Sequence, residues 1–426
     1  MISHPAHKDG PLRSLDSRRI RALTLDRLGQ VLNQARKIPF WAERLKNISP
    51  ELGPFLQMAK IPLLTKRDLL AEQALHPPYG RLFSQTEKGL CRYTQTSGTS
   101  GHTLRWLDDS ASWEAMLECW AMCYELAGVN GSDRLFFPFS FGPFLGFWTA
   151  FEAAARLGVL SIPGGGLSSE ARLRMAFEVD ASVLLGTPSY LIHLGEMAKL
   201  QGAKVPKPRL LIVAGEPGGS IPATRQRLEK LWGARVIDHA GMTEVGPTTV
   251  ECAESPGGFH LLESMYYPEI LDPQTGQEVD QGELILTNLK RLSGPVIRYR
   301  TGDLVARDRD PCPCGFGGLK LKGGILGRLD DMVFIRGNNF HPQTLEAILF
   351  ELPELAEYRA IIHQSGPMAR LEVLVEPRPG IDPLALVEAA DSAIRERCLF
   401  RAEIRAVEVG SLIPAELKAR RHSVQG

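Results

Sequence analysis

The chain has 426 residues, 44% of them apolar and 23% charged, which excludes a disordered or fibrous protein and leaves room for two or three domains around a sizeable core. With 49 basic and 49 acidic residues it carries no net charge, so nothing global favours nucleic acid or an anionic membrane. Residues 1–12 are polar with no apolar core, and no later run reaches the length that spans a bilayer, so the expectation is a cytoplasmic protein. Seven cysteines, an odd number in so long a chain, do not look like a disulfide framework and fit reduced thiols with a metal site.

Residues 14–45 predict one or two amphipathic helices, because Leu25, Leu28, Val31 and Leu32 recur at helical spacing ahead of Phe40 and Trp41. Residues 61–69 begin as a proline-limited extended piece, with Thr65 as N-cap of the helix that follows. Lys66 then falls near a helix start, where the macrodipole disfavours a cation, and is a candidate for another role; a solvated lysine is the plain alternative. Between Thr94 and Gly101 lie five hydroxyl side chains and two glycines, so residues 93–101 have little to bury and read as a loop. Converging N–H groups and hydroxyls suit a polyphosphate there, against the alternative of a polar surface turn.

Residues 112–127 predict a helix in which Cys119 and Cys123 read as small core residues. Residues 136–144 pack five phenylalanines around two prolines, in part core and in part a wall for a flat apolar ligand. From 158 to 237 short apolar runs alternate with helical patterns, the rhythm of a parallel α/β sheet with right-handed crossovers. Ligands gather at the carboxyl ends of such strands, and three turns fall there: 163–166, 214–219 and 239–244. Residues 282–289 and 295–299 predict strands of a smaller, more antiparallel region. Beyond about Asp330 the pattern becomes that of a small α+β domain of about a hundred residues.

The motifs along this frame resemble those of the acyl-adenylate-forming (AMP-binding) enzymes, and within them the phenylacetate-CoA ligase family. Thr96, Ser97, Gly98, Thr99, Ser100 and Gly101 are similar to that family's phosphate loop. Gly241, Met242, Thr243 and Glu244 are similar to its Gly-x-Thr-Glu motif, and residues 298–303 to its Tyr-Arg-Thr-Gly-Asp motif. Residues 327–331, followed by Arg336, Gly337 and Pro342, resemble its hinge, and Thr187 to Tyr190, Ala214, Gly215, Glu216 and Pro217, and Tyr266 to Ile270 point to the phenylacetate branch. One motif is weak evidence; the ordered set, over roughly residues 20–421, is strong.

The resemblance implies an α/β fold with a large N-terminal domain, residues 1–329, of parallel sheets plus a β-rich region, and a small mobile α+β domain, residues 330–426. It implies that ATP and a carboxylic acid give an acyl-adenylate and pyrophosphate, and that a thiol, by default coenzyme A, displaces AMP. Glu244 is then the magnesium carboxylate, with a helix-capping acid as its plain alternative. Asp303 would accept the ribose hydroxyls, Arg328 would contact the nucleotide, and Asp330 would be the hinge. Lys418 would reach the reacting oxygens in the first state, and the loop around Gly337 would line the thiol tunnel in the second. Lys66 matches a family lysine near the phosphates. His239, Ala240, Gly241, Met242 and Thr243 complete the nucleotide site, although Ala240 stands where the family carries an aromatic that stacks on adenine. His102 and Leu417 stand where a lysine and a glycine are common.

Cys312 and Cys314 put two thiols in a Pro/Gly turn, and Cys252 and His260 flank residues 255–258, also read as a turn. Three thiolates and an imidazole would close a tetrahedron around zinc, a site that stabilises rather than catalyses, with unmetallated turn cysteines as the plain alternative. The expected partners are therefore a hydrophobic, aromatic carboxylic acid, ATP, magnesium and a thiol, with no nucleic acid and no membrane; a homodimer is compatible with this. The alternatives are transfer to a carrier protein or amine, or a catalytically silent nucleotide-binding regulator on the same fold. A phosphate-loop NTPase is disfavoured because no Gly-x4-Gly-Lys-Ser/Thr string occurs.

Overall fold

The computed structural model describes residues 15–83, 89–96, 103–201, 206–329, 333–335, 338–340, 342–363, 370–398, 401–412 and 421–425. The N-terminal arm is the helix Ser17–Ala35, followed by Pro39–Leu45, Pro54–Met58 and Lys66–Leu75. The first is capped by Asp16, which accepts the Arg19 N–H, and it buries Ile20, Thr24, Leu28, Val31, Leu32 and Ala35 along one face. The last begins with a capping box: Thr65 Oγ1 accepts the Asp68 N–H and Asp68 Oδ2 accepts the Thr65 N–H.

One twelve-stranded sheet organises residues 134–328. Its parallel half runs Leu160–Pro163, Arg134–Phe137, Val183–Gly186, Leu210–Ala214, Arg235–Met242 across the sheet, and helices Leu145–Arg156, Ser169–Glu178, Pro188–Gln201 and Pro222–Trp232 connect the strands. The inner strands are buried on both faces, which is why they read as continuous apolar runs. The cysteine-bearing helix Ser110–Ala127 starts at Asp109, which accepts the Ser112 N–H, and stops at Gly128 in the left-handed conformation (φ 75°). Cys119 and Cys123 are core residues, as expected.

The β-rich region continues this same sheet. Arg235–Met242 pairs parallel on one side and, after a short turn, antiparallel with Gly246–Cys252 on the other. Ser255–Leu261, Lys320–Lys322, Tyr299–Asp308, Gln281–Asn288 and Tyr266–Leu271 follow in order, all antiparallel. Three expectations are corrected here. The strand expected at 295–299 begins only at Tyr299, because Arg298 takes a left-handed backbone (φ 52°) that no strand accommodates. Residues 255–258 are strand rather than turn, since the chain reverses one step earlier, with Cys252 facing Ser255. The loop expected at 93–101 starts later, because Arg92–Gln95 pairs with Arg105–Asp108.

The small C-terminal region has its own four-stranded sheet, ordered Glu403–Ala406, Arg370–Pro377, Leu355–His363, His422–Gln425, with helices Gln343–Leu349 and Pro383–Cys398. Its core, including Leu345, Ile348, Tyr358, Val373, Val375, Leu386 and Ile394, is a hydrophobic cluster separate from those of the large sheet. No helix among the described residues is long and apolar enough to cross a membrane.

Candidate active site

The site forms where the two halves of the sheet meet. Thr243, Glu244 and Val245 make the reversal, and the backbone carbonyl of each is taken by a side chain. Arg291 Nη1 donates to Thr243 O (2.7 Å) and Glu244 O (3.2 Å), and Asn288 Nδ2 donates to Val245 O (2.7 Å). Arg291, fully buried, forms a two-point pair with Asp108, also fully buried (2.5 and 2.6 Å). Gly241 is required by close approach: a Cβ there would lie 2.8 Å from Gly246 O and 2.9 Å from Pro247 Cα across the hairpin.

The Glu244 carboxylate is buried, and Oε1 is its meeting point. The Tyr299 hydroxyl donates to it at 3.3 Å and Lys66 Nζ, 40% exposed, stands 3.4 Å away. Burial and the Glu244 charge push the Tyr299 phenol up, so it remains a donor. Lys66 reaches the site because residues 61–65 are stitched to the strand that begins at Tyr299: Leu64 N donates to Arg298 O (2.9 Å) and Arg300 N to Leu64 O (2.8 Å). The cation at the helix start thus has a partner, whereas the macrodipole alone disfavours it there.

On the same strand Asp303 is buried and accepts from Arg328 Nη1 at 2.8 Å; that nitrogen also donates to Thr301 O at 2.9 Å. Residue 328 faces residue 303 across the short strand Gly327–Arg328, so the expected ribose acid and hinge arginine are neighbours by register. The 187–190 and 214–217 motifs also meet: Glu216 Oε1 accepts the Ser189 N–H at 2.7 Å and the Ser189 hydroxyl. Gly215 at φ 93° makes that turn. Thr96 closes the base of the hydroxyl-rich segment, its Oγ1 accepting the Leu104 N–H at 3.0 Å. His239 is buried under the Trp120 ring (4.4 Å between centroids), and Nδ1 lies 2.6 Å from Thr249 O. Burial pushes the imidazole down to about 4, so it is neutral. Ala240 is half-buried with its carbonyl accepting from Thr248 Oγ1 (3.0 Å). Ser97, Gly98, Thr99, Ser100, Gly101, Asp330, Gly337 and Lys418 lie outside the described residues.

Sequence reasoning missed Tyr299 as a site group and missed Asp108 and Arg291 altogether. Tyr299 sits inside a recognised motif, so its proximity to Asp303 was the available signal; the Asp108–Arg291 pair, 183 residues apart, had none. The phenylalanine-rich segment mostly packs on itself: Phe136, Phe137 and Phe139 are buried, and Phe139 stacks on Phe147 at 4.2 Å.

A second cluster lies at the far end of the hairpin. The ligand atoms of Cys252, His260, Cys312 and Cys314 all lie within 4.8 Å of one another. Cys252 Sγ is 3.5 Å from Cys312 Sγ, and Cys314 Sγ is 3.5 Å from His260 Nε2. His260 Nδ1 is buried with no partner among the described residues. Burial pushes the Cys252 thiol up to about 12, so only a cation would hold that sulfur as a thiolate. Four converging soft donors of tetrahedral number fit zinc.

The AMP-binding enzyme C-terminal domain family matches residues 337–423. A phenylacetate-coenzyme A ligase of Pseudomonas putida is 29% identical over 86% of this chain and 84% of its own, and one of Thermus thermophilus 28% identical over 86% and 83%. Among solved structures, a 2-hydroxyisobutyryl-CoA ligase in the postadenylation state, with 2-HIB-AMP, is 28% identical and superposes with a TM-score of 0.91 over 100% of this chain and 94% of that one. The same enzyme in its thioesterification state scores 0.71. Together with the ordered motifs and the two-part fold, this makes the chain an adenylate-forming enzyme, an AMP-forming acid–thiol ligase that works through an acyl-adenylate. Within that class it is phenylacetate-CoA ligase-like.

Proposed function

We propose that the chain activates a hydrophobic, aromatic carboxylic acid with ATP and passes the acyl group to coenzyme A. The observation that carries this is the convergence of Lys66 and Tyr299 on one oxygen of Glu244, with Tyr299 four residues along the strand from Asp303 and its partner Arg328. The carboxylate of the acid attacks the α-phosphorus and pyrophosphate leaves; the thiol sulfur then attacks the acyl carbon, losing its proton, and AMP leaves. Both steps crowd anions, so fixed cations and donors lower the barrier most. Glu244 would hold magnesium, which supplies charge neutralisation on the phosphates. Lys66 would leave Glu244 to meet phosphate oxygen, Tyr299 would keep the carboxylate oriented, and Asp303 would exchange part of its pairing with Arg328 for the ribose hydroxyls.

Residues 97–101 would wrap the phosphates from the hairpin mouth closed by Thr96. Glu216 and Ser189 brace residues 214–217 as one wall for the nucleotide. His239, too buried to touch it, would support Ala240 from behind. Residues 330–426 would act as the lid that brings Lys418 and then Gly337 to the site. Cys252, His260, Cys312 and Cys314 would hold a structural zinc, and the seven free thiols suit a reducing, cytoplasmic setting. The phenylacetate ligases among its relatives support the aromatic choice.

The test is acid-dependent exchange of labelled pyrophosphate into ATP, over aryl, fatty and 2-hydroxy acids. Exchange should favour one aryl acid and fall about 100-fold or more in Glu244→Gln and in Lys418→Ala. ATP binding without exchange on any acid overturns the ligase reading and leaves a silent nucleotide-binding protein.

A further inference from the structure

Arg298 combines three features that the reaction above does not use. It is a non-glycine residue with a left-handed backbone (φ 52°), directly before Tyr299. Its guanidinium is largely buried and fully engaged: Nε and Nη2 donate to the two oxygens of Glu269 at 2.9 and 2.7 Å, and Nη1 donates to Ile61 O at 2.7 Å. Its backbone N–H goes to Thr287 Oγ1 at 2.9 Å and its carbonyl accepts from Leu64 N at 2.9 Å. One residue therefore ties together the 61–65 segment that presents Lys66, the Tyr-Pro-Glu motif that supplies Glu269, and the strand that presents Tyr299.

A left-handed arginine persists only where its surroundings over-determine it, and such residues cluster at working sites. Here the bend starts the strand at Tyr299 and turns the Arg298 carbonyl onto the arm. Lys66 follows that docking point by two residues and is held by no other ion pair among the described residues than the one to Glu244. Bidentate geometry matters, because a guanidinium fork fixes orientation where a point charge does not.

Resting on the magnesium-nucleotide reading of Glu244, we infer that Arg298 and Glu269 are positioning residues for that site. They act through Lys66, fixing where its ammonium stands relative to Glu244. The Tyr-Pro-Glu motif thereby acquires a role, since its carboxylate locks the bend that aligns the arm.

The test is a double-mutant cycle between Glu269→Gln and Lys66→Ala, read in two ways: the dissociation constant of ATP with magnesium, and the rate of acid-dependent pyrophosphate exchange. In the wild-type background Glu269→Gln should weaken magnesium-ATP binding or slow exchange about 10-fold; in the Lys66→Ala background it should change either by less than about twofold, because linked residues are not additive. Arg298→Lys, which keeps the charge and loses the fork, should reproduce the pattern and covers the case in which Glu269→Gln does not fold. Equal losses in both backgrounds would make the pair merely structural and overturn the inference. Binding that follows the cycle in a protein without exchange on any acid would sustain it while removing the ligase reading. A wild type that binds no magnesium-ATP removes both.

Discussion

The two halves of the large sheet hide different things. The parallel half hides hydrocarbon: Val183–Gly186 is buried at every position, and Leu210, Leu211, Ile212 and Val213 are all enclosed. The antiparallel half and its connections hide charge: Glu244, Glu251, Glu283, Arg291 and Asp303 are all buried. Buried charge is tolerated only when paired and hydrogen-bonded, and here Glu251 pairs with Arg225, Glu283 with Arg300, Glu244 with Lys66, Asp303 with Arg328 and Arg291 with Asp108. The scaffold half supplies rigidity that needs no particular side chain; the other half depends on individual atoms.

Ion pairs test the contrast most sharply. Removing Arg291 by Arg291→Ala leaves Asp108 charged and enclosed and frees the carbonyls of Thr243 and Glu244, so it should cost about 3–5 kcal/mol of unfolding free energy. In the parallel half Arg209 pairs with Asp133, but Arg209 is 40% exposed and Asp133 keeps the Asn130 N–H and the Ser182 hydroxyl. Arg209→Ala should therefore cost about 1 kcal/mol. Urea titration of both variants gives the comparison, and equal losses would mean that burial of the pair is not what separates the halves.

The cysteines sharpen it next. Cys119 and Cys123 sit four apart on one helix among apolar neighbours, whereas Cys252, Cys312 and Cys314 arrive with His260 from a hairpin and a turn. Zinc at a free concentration about a hundredfold above its dissociation constant would contribute about 2.7 kcal/mol. A strong chelator, or Cys312→Ser, should lower the melting temperature and the bound zinc together, while Cys123→Ser leaves the zinc content at one per chain. Zinc content unchanged in Cys312→Ser would remove the cluster as the metal site.

A smaller effect belongs to the strand shared by both halves. Asp238 Oδ2 accepts the Ser220 N–H (2.6 Å) and hydroxyl (2.7 Å), and burial, with the Glu251 charge beside it, raises its carboxyl to about 7. An unfolded aspartate titrates near 3.9, so between about pH 4 and 7 the folded chain holds a proton that the unfolded chain has lost. That contribution is complete below about pH 4 and is lost as the pH rises through 7. The urea midpoint should thus fall from pH 5.5 to 7.5, and the fall should be shallower in Asp238→Asn. An unaltered slope in the variant would mean the carboxyl is already ionised at pH 5.5.

This contrast also governs what was legible beforehand. The parallel half announced itself because buried parallel strands are uninterrupted apolar runs and their crossover helices have a clear period. Strands such as Gly246–Cys252 did not, since buried Thr248, Thr249 and Glu251 interrupt the apolar signal although all are enclosed. Glu244, Asp303 and Arg328 are singled out by motif resemblance alone, and the backbone around them is only partly legible: nothing about the letter Arg at 298 signals a left-handed backbone, so a strand is expected across 295–299. Asp108 and Arg291 belong to no motif, and only the folded chain joins them.

The last contrast is between the large sheet and the C-terminal region, and it concerns contacts that can break. Arg227, on the helix Pro222–Trp232, donates to Glu196 at 2.6 Å and to Ala356 O at 3.1 Å, with its guanidinium 5.1 Å from the Phe350 ring centre. Arg378 of the C-terminal region reaches the same Glu196 at 3.2 Å, and Thr224 faces Glu346 at 3.4 Å. The contacts on Glu196 are polar and partly solvated, unlike the enclosed pairs beneath, so each is weak. Weakness would suit a surface that separates as the proposed lid does, and the arrangement here superposes far better on a postadenylation structure of a 2-hydroxyisobutyryl-CoA ligase than on its thioesterification one. Glu196→Ala removes the acceptor shared by Arg227 and Arg378 and should disfavour this docking by about 0.5–1 kcal/mol. Two- to fivefold slower adenylation, with thioester formation from preformed adenylate unslowed, is the expected split in single-turnover assays. Equal slowing of both half-reactions would show that Glu196 supports the fold rather than the docked arrangement.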